Sequence, residues 1–239
     1  MATLLQTTNK VLKRLREDTV ADLTGDYANL VGSFVADIAA EVNDSGPGWS
    51  ALDHTVTVSV LAATRTYDLG SGGTADLTDR STLLHDVCGR PMVWMFDDGS
   101  DNTGDPMRYV DPNEYERMFQ LDRTETQLDP NCFTLIRNTD GTGYTLALYP
   151  IPSTTRTIRM RFNTPEAVLD PDTDSATSIV VNNRVVELGT LWLALNERGE
   201  EIGEPGNIAE TRYRTALADV VEDEIRVRER AGYYDWSRN

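Results

Sequence analysis

The apolar pattern predicts an α+β fold in which N- and C-terminal helices form one bundle and a central antiparallel β-domain, a sheet or a sandwich, is inserted between them. Three observations carry this expectation. Apolar residues recur at helical spacing over residues 1–52, alternate with polar ones through the segment 53–180, and return to helical spacing over 181–230. Neither helical end alone buries both faces of its stripes, so the two ends are expected to pack together. With 239 residues and a hydrophobic fraction of 39%, the chain has ample material for a core.

Residues 3–17 place Leu4, Leu5, Val11, Leu12 and Leu15 among Lys10, Lys13, Arg14 and Arg16, the mixed spacing of a surface helix. After Thr24-Gly25, the residues Tyr27, Leu30, Val31, Phe34, Val35, Ile38, Ala39 and Val42 build a continuous stripe. The breaker cluster Asn43-Asp44-Ser45-Gly46-Pro47-Gly48 ends that helix, and Trp49 is expected to anchor the turn. Val56, Val58 and Val60 then alternate with threonine and serine, and a second alternation over Thr64–Leu69 completes an expected hairpin closed by Gly70-Ser71-Gly72-Gly73. Another strand pair is expected over Leu83–Phe96, turning at Cys88-Gly89-Arg90-Pro91 and running into the acidic loop 97–105. Asp111 caps a short helix with Pro112 in its first turn and Tyr115, Met118 and Phe119 on one face. Cys132–Arg137 and Tyr144–Tyr149 flank a loop containing Asp140-Gly141, a strong hairpin signal. A further strand over Thr155–Phe162 sets Ile158, Met160 and Phe162 inward and Arg159 and Arg161 outward. Beyond a polar link at 170–178, Asn182 or Asn183 caps a largely buried helix bearing Val185, Val186, Leu188, Leu191, Trp192 and Leu195. The last helix, from near Pro205 to Arg230, carries Tyr213, Leu217, Val220, Val221 and Ile225 as its stripe, and residues 231–239 form a tail.

Composition excludes several function classes. Acidic residues outnumber basic ones 39 to 22, a net charge of −17 that opposes wrapping by nucleic acid. Lys10 and Lys13 are the only lysines, a bias that fits either salty surroundings or a GC-rich genome. No signal segment and no membrane span is expected. Cys88 and Cys132 stand in no metal-binding spacing and read as reduced thiols. His54 and His85 accompany no nucleophile elbow and no zinc motif, and Gly70-Ser71-Gly72-Gly73 lacks the lysine of a phosphate loop. Asp170, Asp172 and Asp174 match the start of a calcium loop, yet Ser175 stands where glycine is needed and Val181 where the bidentate glutamate is needed. No catalytic residue, metal or cofactor is therefore assigned, and the chain reads as a building block of an assembly.

Lys13-Arg14-Leu15-Arg16, then Asp26-Tyr27 opening a long helix, a tryptophan and a Thr/Val hairpin, followed by Tyr144–Pro152, Arg156–Phe162, Thr164-Pro165, Leu169 and Asn196–Glu200, form an ordered series. That series resembles the head-to-tail adaptors of short-tailed phages, the tail tubular protein A family. The acidic stretch 97–105 and the scarcity of lysine depart from that pattern, and the acidic stretch is expected to fall in a loop. The resemblance implies a non-enzymatic virion protein, placed in host cytoplasm during assembly and in the tail neck afterwards. It implies a homo-oligomeric ring, dodecameric in relatives, between the portal protein and the tail nozzle, with genomic DNA passing through the lumen unbound. Arg226, Arg228 and Arg230, opposite Asp219, Glu222, Asp223 and Glu224, are candidates for ring contacts. Tyr233, Tyr234 and Trp236 are candidate anchors in a neighbouring ring. A carbohydrate-binding or carbohydrate-processing protein, using Trp94 and Tyr109 on the β-domain, is the alternative.

Overall fold

The computed structural model describes residues 1–46, 48–70, 77–86, 88–97, 104–121, 127–139, 143–199, 204–231 and 233–234. The chain divides into two compact units, one of residues 1–52 and 165–228, the other of residues 53–164 and 229–239. The expected α+β order holds, with helices flanking a β region. Residues 165–180, expected in the β-domain, belong instead to the helical unit. The reason is local: Ser178–Ile179 pairs antiparallel with Ala2–Thr3, and the carbonyls of Thr177 and Ser175 accept the amides of Leu4 and Leu5. Those amides open the first helix and have no acceptor within it.

That helix, α1 (Leu4–Arg14), starts in a capping box: Thr3 Oγ1 accepts from Gln6 N at 3.2 Å and Gln6 Oε1 accepts from Thr3 N at 3.1 Å. It ends earlier than expected because Arg16 adopts φ 61°, with Glu17 N donating to Leu12 O and Arg16 N to Lys13 O. This is a Schellman stop with arginine at a position that favours glycine. α2 (Asp26–Ser45) buries Val31, Val35, Ile38, Ala39 and Val42. Trp49 does anchor its end, donating from the indole Nε1 to Val42 O at 3.0 Å. α3 spans Pro112–Leu121 in the other unit; α4 (Asn183–Glu197) and α5 (Glu204–Ala231) complete the helical one.

Asn182 caps α4 through Arg184 N and Val185 N. On α4, Glu187 is buried, and its carboxylate is met by Lys10 and Arg14 of α1. Arg198 just past α4 donates to Tyr27 Oη, Leu15 O and Glu17, tying three helix ends together. At Gly189 α4 comes close to α2 and α5: a Cβ there would stand 2.7 Å from Ile38 and 2.9 Å from Tyr213. Tyr213, 1% exposed, stacks on Trp192 at 5.9 Å. Along α5, Leu217, Val220 and Val221 are half-buried, whereas Ile225, expected in the stripe, is exposed.

The β unit is a sandwich. One sheet orders Asp53–Val60, Arg156–Asn163, Val93–Asp97 and Asp105–Pro106, with Thr82–Leu83 also on Arg156–Asn163. The other orders Thr66–Asp68, Tyr144–Tyr149, Cys132–Arg137 and Arg108–Tyr109. Val58, Ile158, Met160 and Phe162 from the first and Phe133, Leu146 and Leu148 from the second share one core. The outer face of the second sheet, at Cys132 and Ala147, is covered by Tyr115, Met118 and Phe119 of α3. Asp111 caps α3 as expected, accepting from Asn113 N.

The 132–149 hairpin forms in the expected register, Cys132 opposite Tyr149 and Arg137 opposite Tyr144. The expected hairpin of residues 55–69 does not form. Asp53–Val60 pairs with Arg156–Asn163 and Thr66–Asp68 with Tyr144–Tyr149, in separate sheets. A corner intervenes, in which Ala63 takes φ 59° and the Tyr67 hydroxyl contacts Leu61 N, Leu61 O and Thr64 O at 2.9–3.1 Å. Both segments keep their alternation because they face one another across the core instead of side by side. Residues 71–73, expected to close that hairpin, lie outside the described residues. Residues 84–92 do double back, with Asp86 N donating to Arg90 O and Met92 N to Leu84 O.

Two substitutions should move stability in opposite directions. Gly189→Ala drives a methyl into Ile38 and Tyr213 and should cost about 1–3 kcal/mol. Arg16→Gly relieves a left-handed residue and should add about 1 kcal/mol. Denaturant titration of both variants against the parent checks the pair.

Candidate functional site

One concave surface of the helical unit is a groove. Its floor is Leu188, Leu191 and Leu195 of α4 with Ile208 of α5, over a volume of about 740 Å³. It adjoins a second hollow of about 470 Å³, lined in part by Arg184, and Arg14, Leu188 and Arg212 border both. Local sequence explains the floor. α4 is apolar around more than one face, so Val185, Val186 and Ala194 turn inward while Leu188, Leu191 and Leu195 stay half-exposed. Ile208 is 45% exposed. Arg14 reaches Glu187 at 3.3 Å, whereas Arg184 and Arg212 are exposed and have no ion pair among the described residues. The arrangement offers apolar area with mainly positive charge, Asp219 being the one acid among the lining residues, which suits a protein partner.

The expectation that α4 is largely buried missed this groove. Its sequence signal was the breadth of the α4 apolar arc, wider than one helix or sheet can cover.

The candidate arginines separate. Arg226 is exposed and pairs with Glu222 and Asp223 on its own helix, and Arg230 is exposed. Arg228, expected as a contact residue, is 2% exposed; its Nε donates to Gly48 O at 2.7 Å. Glu224, one turn earlier, accepts from Ser50 N at 2.6 Å. Together these two side chains bind the turn that ends α2, which takes Arg228 off the outer surface. Tyr233–Tyr234 pairs antiparallel with His85–Asp86, and Trp236 lies outside the described residues.

The β unit brings no reaction chemistry together among the described residues. His54 is exposed on its strand. His85 borders a cavity of about 330 Å³ with Leu83, Tyr109, Leu135, Tyr144 and Phe162. Asp86 beside it caps its own turn, accepting from Arg90 N and Cys88 N, and the Arg90 amide foremost holds its carboxyl below the usual range. No cluster of three metal-ligating side chains occurs among the described residues. The 170–174 carboxylates serve their own loop: Asp170 accepts from Asp172 N, Asp174 from Asp170 N, and Asp172 from Asn29 Nδ2. Of the acidic loop 97–105, residues 98–103 lie outside the described residues. Trp94 and Tyr109 do not form one platform. Trp94 points away from the core between buried Val93 and Met95, while Tyr109 sits in the other sheet against Phe133 at 5.7 Å. No helix among the described residues is long and apolar enough to cross a membrane.

If Arg228 serves the fold and Arg226 only the surface, their alanine variants should differ. Arg228→Ala should cost about 1–3 kcal/mol by leaving buried acceptors unanswered; Arg226→Ala should change stability by less than about 0.5 kcal/mol. Thermal unfolding of the two variants reads this difference.

A comparison with curated proteins finds no match. A family model described as SU10 adaptor protein matches residues 2–237. With nearly every residue inside that match, the chain belongs to the SU10 adaptor protein family, a family of phage structural adaptors.

Proposed function

We propose that this chain is the head-to-tail adaptor of a short-tailed phage, related to tail tubular protein A. Identical copies form a closed ring, dodecameric as in the adaptors it resembles, that joins the portal protein to the tail nozzle in the virion neck. Assembly takes place in host cytoplasm. The observation that carries the reading is the adaptor family match over residues 2–237. Two physical features support it. Copies of net charge −17 around a lumen repel the phosphate backbone, so DNA slides through without binding. An apolar groove bordered by Arg184 and Arg212, which have no ion pair among the described residues, is surface that an isolated chain leaves uncovered and an assembly covers. The protein acts as a scaffold and catalyses no reaction.

Tyr233, Tyr234 and Trp236 anchor the ring to the portal, with their large rings entering pockets of the partner. Arg226 and Arg230 contribute to contacts between neighbouring copies of the ring.

Light scattering of the 26.6 kDa chain, alone and with portal rings, tests the reading. The expected result is a complex holding a fixed multiple of the chain; a chain indifferent to portal refutes it. Deleting residues 231–239 should abolish attachment to portal, and unchanged attachment would remove the tail from the account.

A further inference from the structure

The two flanks of α5 are unlike in charge. On one flank lies the groove, where Arg184 and Arg212 stand exposed above Leu188, Leu191 and Ile208. On the other lies α2, whose exposed Asp37, Glu41 and Asp44 fall four and three residues apart and so share one helix face. The opposition follows from helix geometry. Arg212 lines the groove, whereas Arg214, turned by about 200° on the same helix, lies over the Trp192 ring and feels the charge of Glu41. Asp37 has no ion pair among the described residues. Half-buried Phe34 and Ala40 lie along the same side of α2 and supply apolar area beside the acids.

These surfaces complement each other better than either complements itself, since in the groove three arginines outnumber the single acid, Asp219. Two grooves brought together would oppose arginine to arginine, and two α2 faces would oppose acid to acid, so a two-fold contact is disfavoured. Copies of net charge −17 repel at long range, and a contact between them needs local attraction of this kind. We infer that the α1–α4–α5 groove seats the acidic face of α2 from a second copy of the chain, in a head-to-tail contact. Asp37 and Glu41 of the incoming helix meet Arg184 and Arg212, and its apolar side covers the leucine floor. Repeated from copy to copy, such a heterologous contact closes a ring. The inference rests on the ring reading above and assigns the surfaces that make it.

Charge reversal tests it on the full chain. A groove variant, Arg184→Glu with Arg212→Glu, and a face variant, Asp37→Arg, should each keep the parent's circular dichroism yet lose the ring mass in the presence of portal. Mixed in equal amounts they should regain it, because each reversed surface then meets its complement. Variants that still reach the parent's mass, or a mixture that stays monomeric, overturn the pairing of these faces and leave the ring itself standing. A parent chain that forms no ring with portal brings down both readings. As an independent readout, Asp37→Cys with Arg212→Cys in a Cys88→Ser background should give a ladder of cross-linked chains on oxidation. A lone monomer band from assemblies of parental mass overturns the contact.

Discussion

The helical unit depends on α4 meeting α1 and α2 across more than a hundred residues of intervening chain. The stripes of α1 and α2 leave apolar surface that only the C-terminal helices cover, and Val185, Val186 and Ala194 complete the core that Val11, Val31, Val35 and Ile38 begin. Polar contacts then fix the alignment. Glu187 is buried against α1 and needs Lys10 and Arg14 to offset the loss of water around its carboxylate. Arg198 gathers the ends of α1 and α4 with the start of α2. Gly189, by having no side chain, lets Tyr213 reach the interior where Ile38 and Trp192 meet it. A slip of α4 by one turn would break all three arrangements together.

What the sequence could reveal follows from the range of each interaction. The α2 stripe and the 132–149 hairpin were legible because spacing and turn chemistry lie within a few residues of each other. Alternation at Val56–Val60 and Thr64–Leu69 told that each segment has one buried face. It could not tell which strand lies alongside, and the Tyr67 corner sends the two into different sheets. Arg16 gave no warning of a left-handed stop, since glycine is the usual marker there. Glu187 and Arg228 look like surface charges in their helices, and their burial is decided by partners 177 and 180 positions away. Gly189 did leave a trace, as a lone glycine within a helical stripe commonly marks a close approach.

The site was less legible than the fold. Aromatic residues in the tail and arginines on α5 drew notice as residue types, while the groove emerged only from the relative placement of three helices. Its parts are ordinary leucines, an isoleucine and arginines, with no motif to join Leu188 to Ile208 or Arg14 to Arg212. Assembly surfaces share this property in general, because recognition depends on area and complementarity more than on particular atoms. A family match over residues 2–237 supplies the biological setting that no single residue carries.

The strands by which the chain first enters the β unit and then leaves it are neighbours. Asp53 is paired with Asn163, and the Asn163 amide donates to the Asp53 carboxylate at 2.8 Å. Adjacent strands stand about 5 Å apart, a gap that a very short linker spans. Residues 53–164 thus leave the helical part of the chain and return to it at one doubled stem, and the chain enters the β unit once more with residues 229–239. Loops between Asp53 and Asn163 can therefore lengthen or shorten without parting the two ends of that stem, so a change in them is not transmitted along the chain to the packing of α1, α2 and α4.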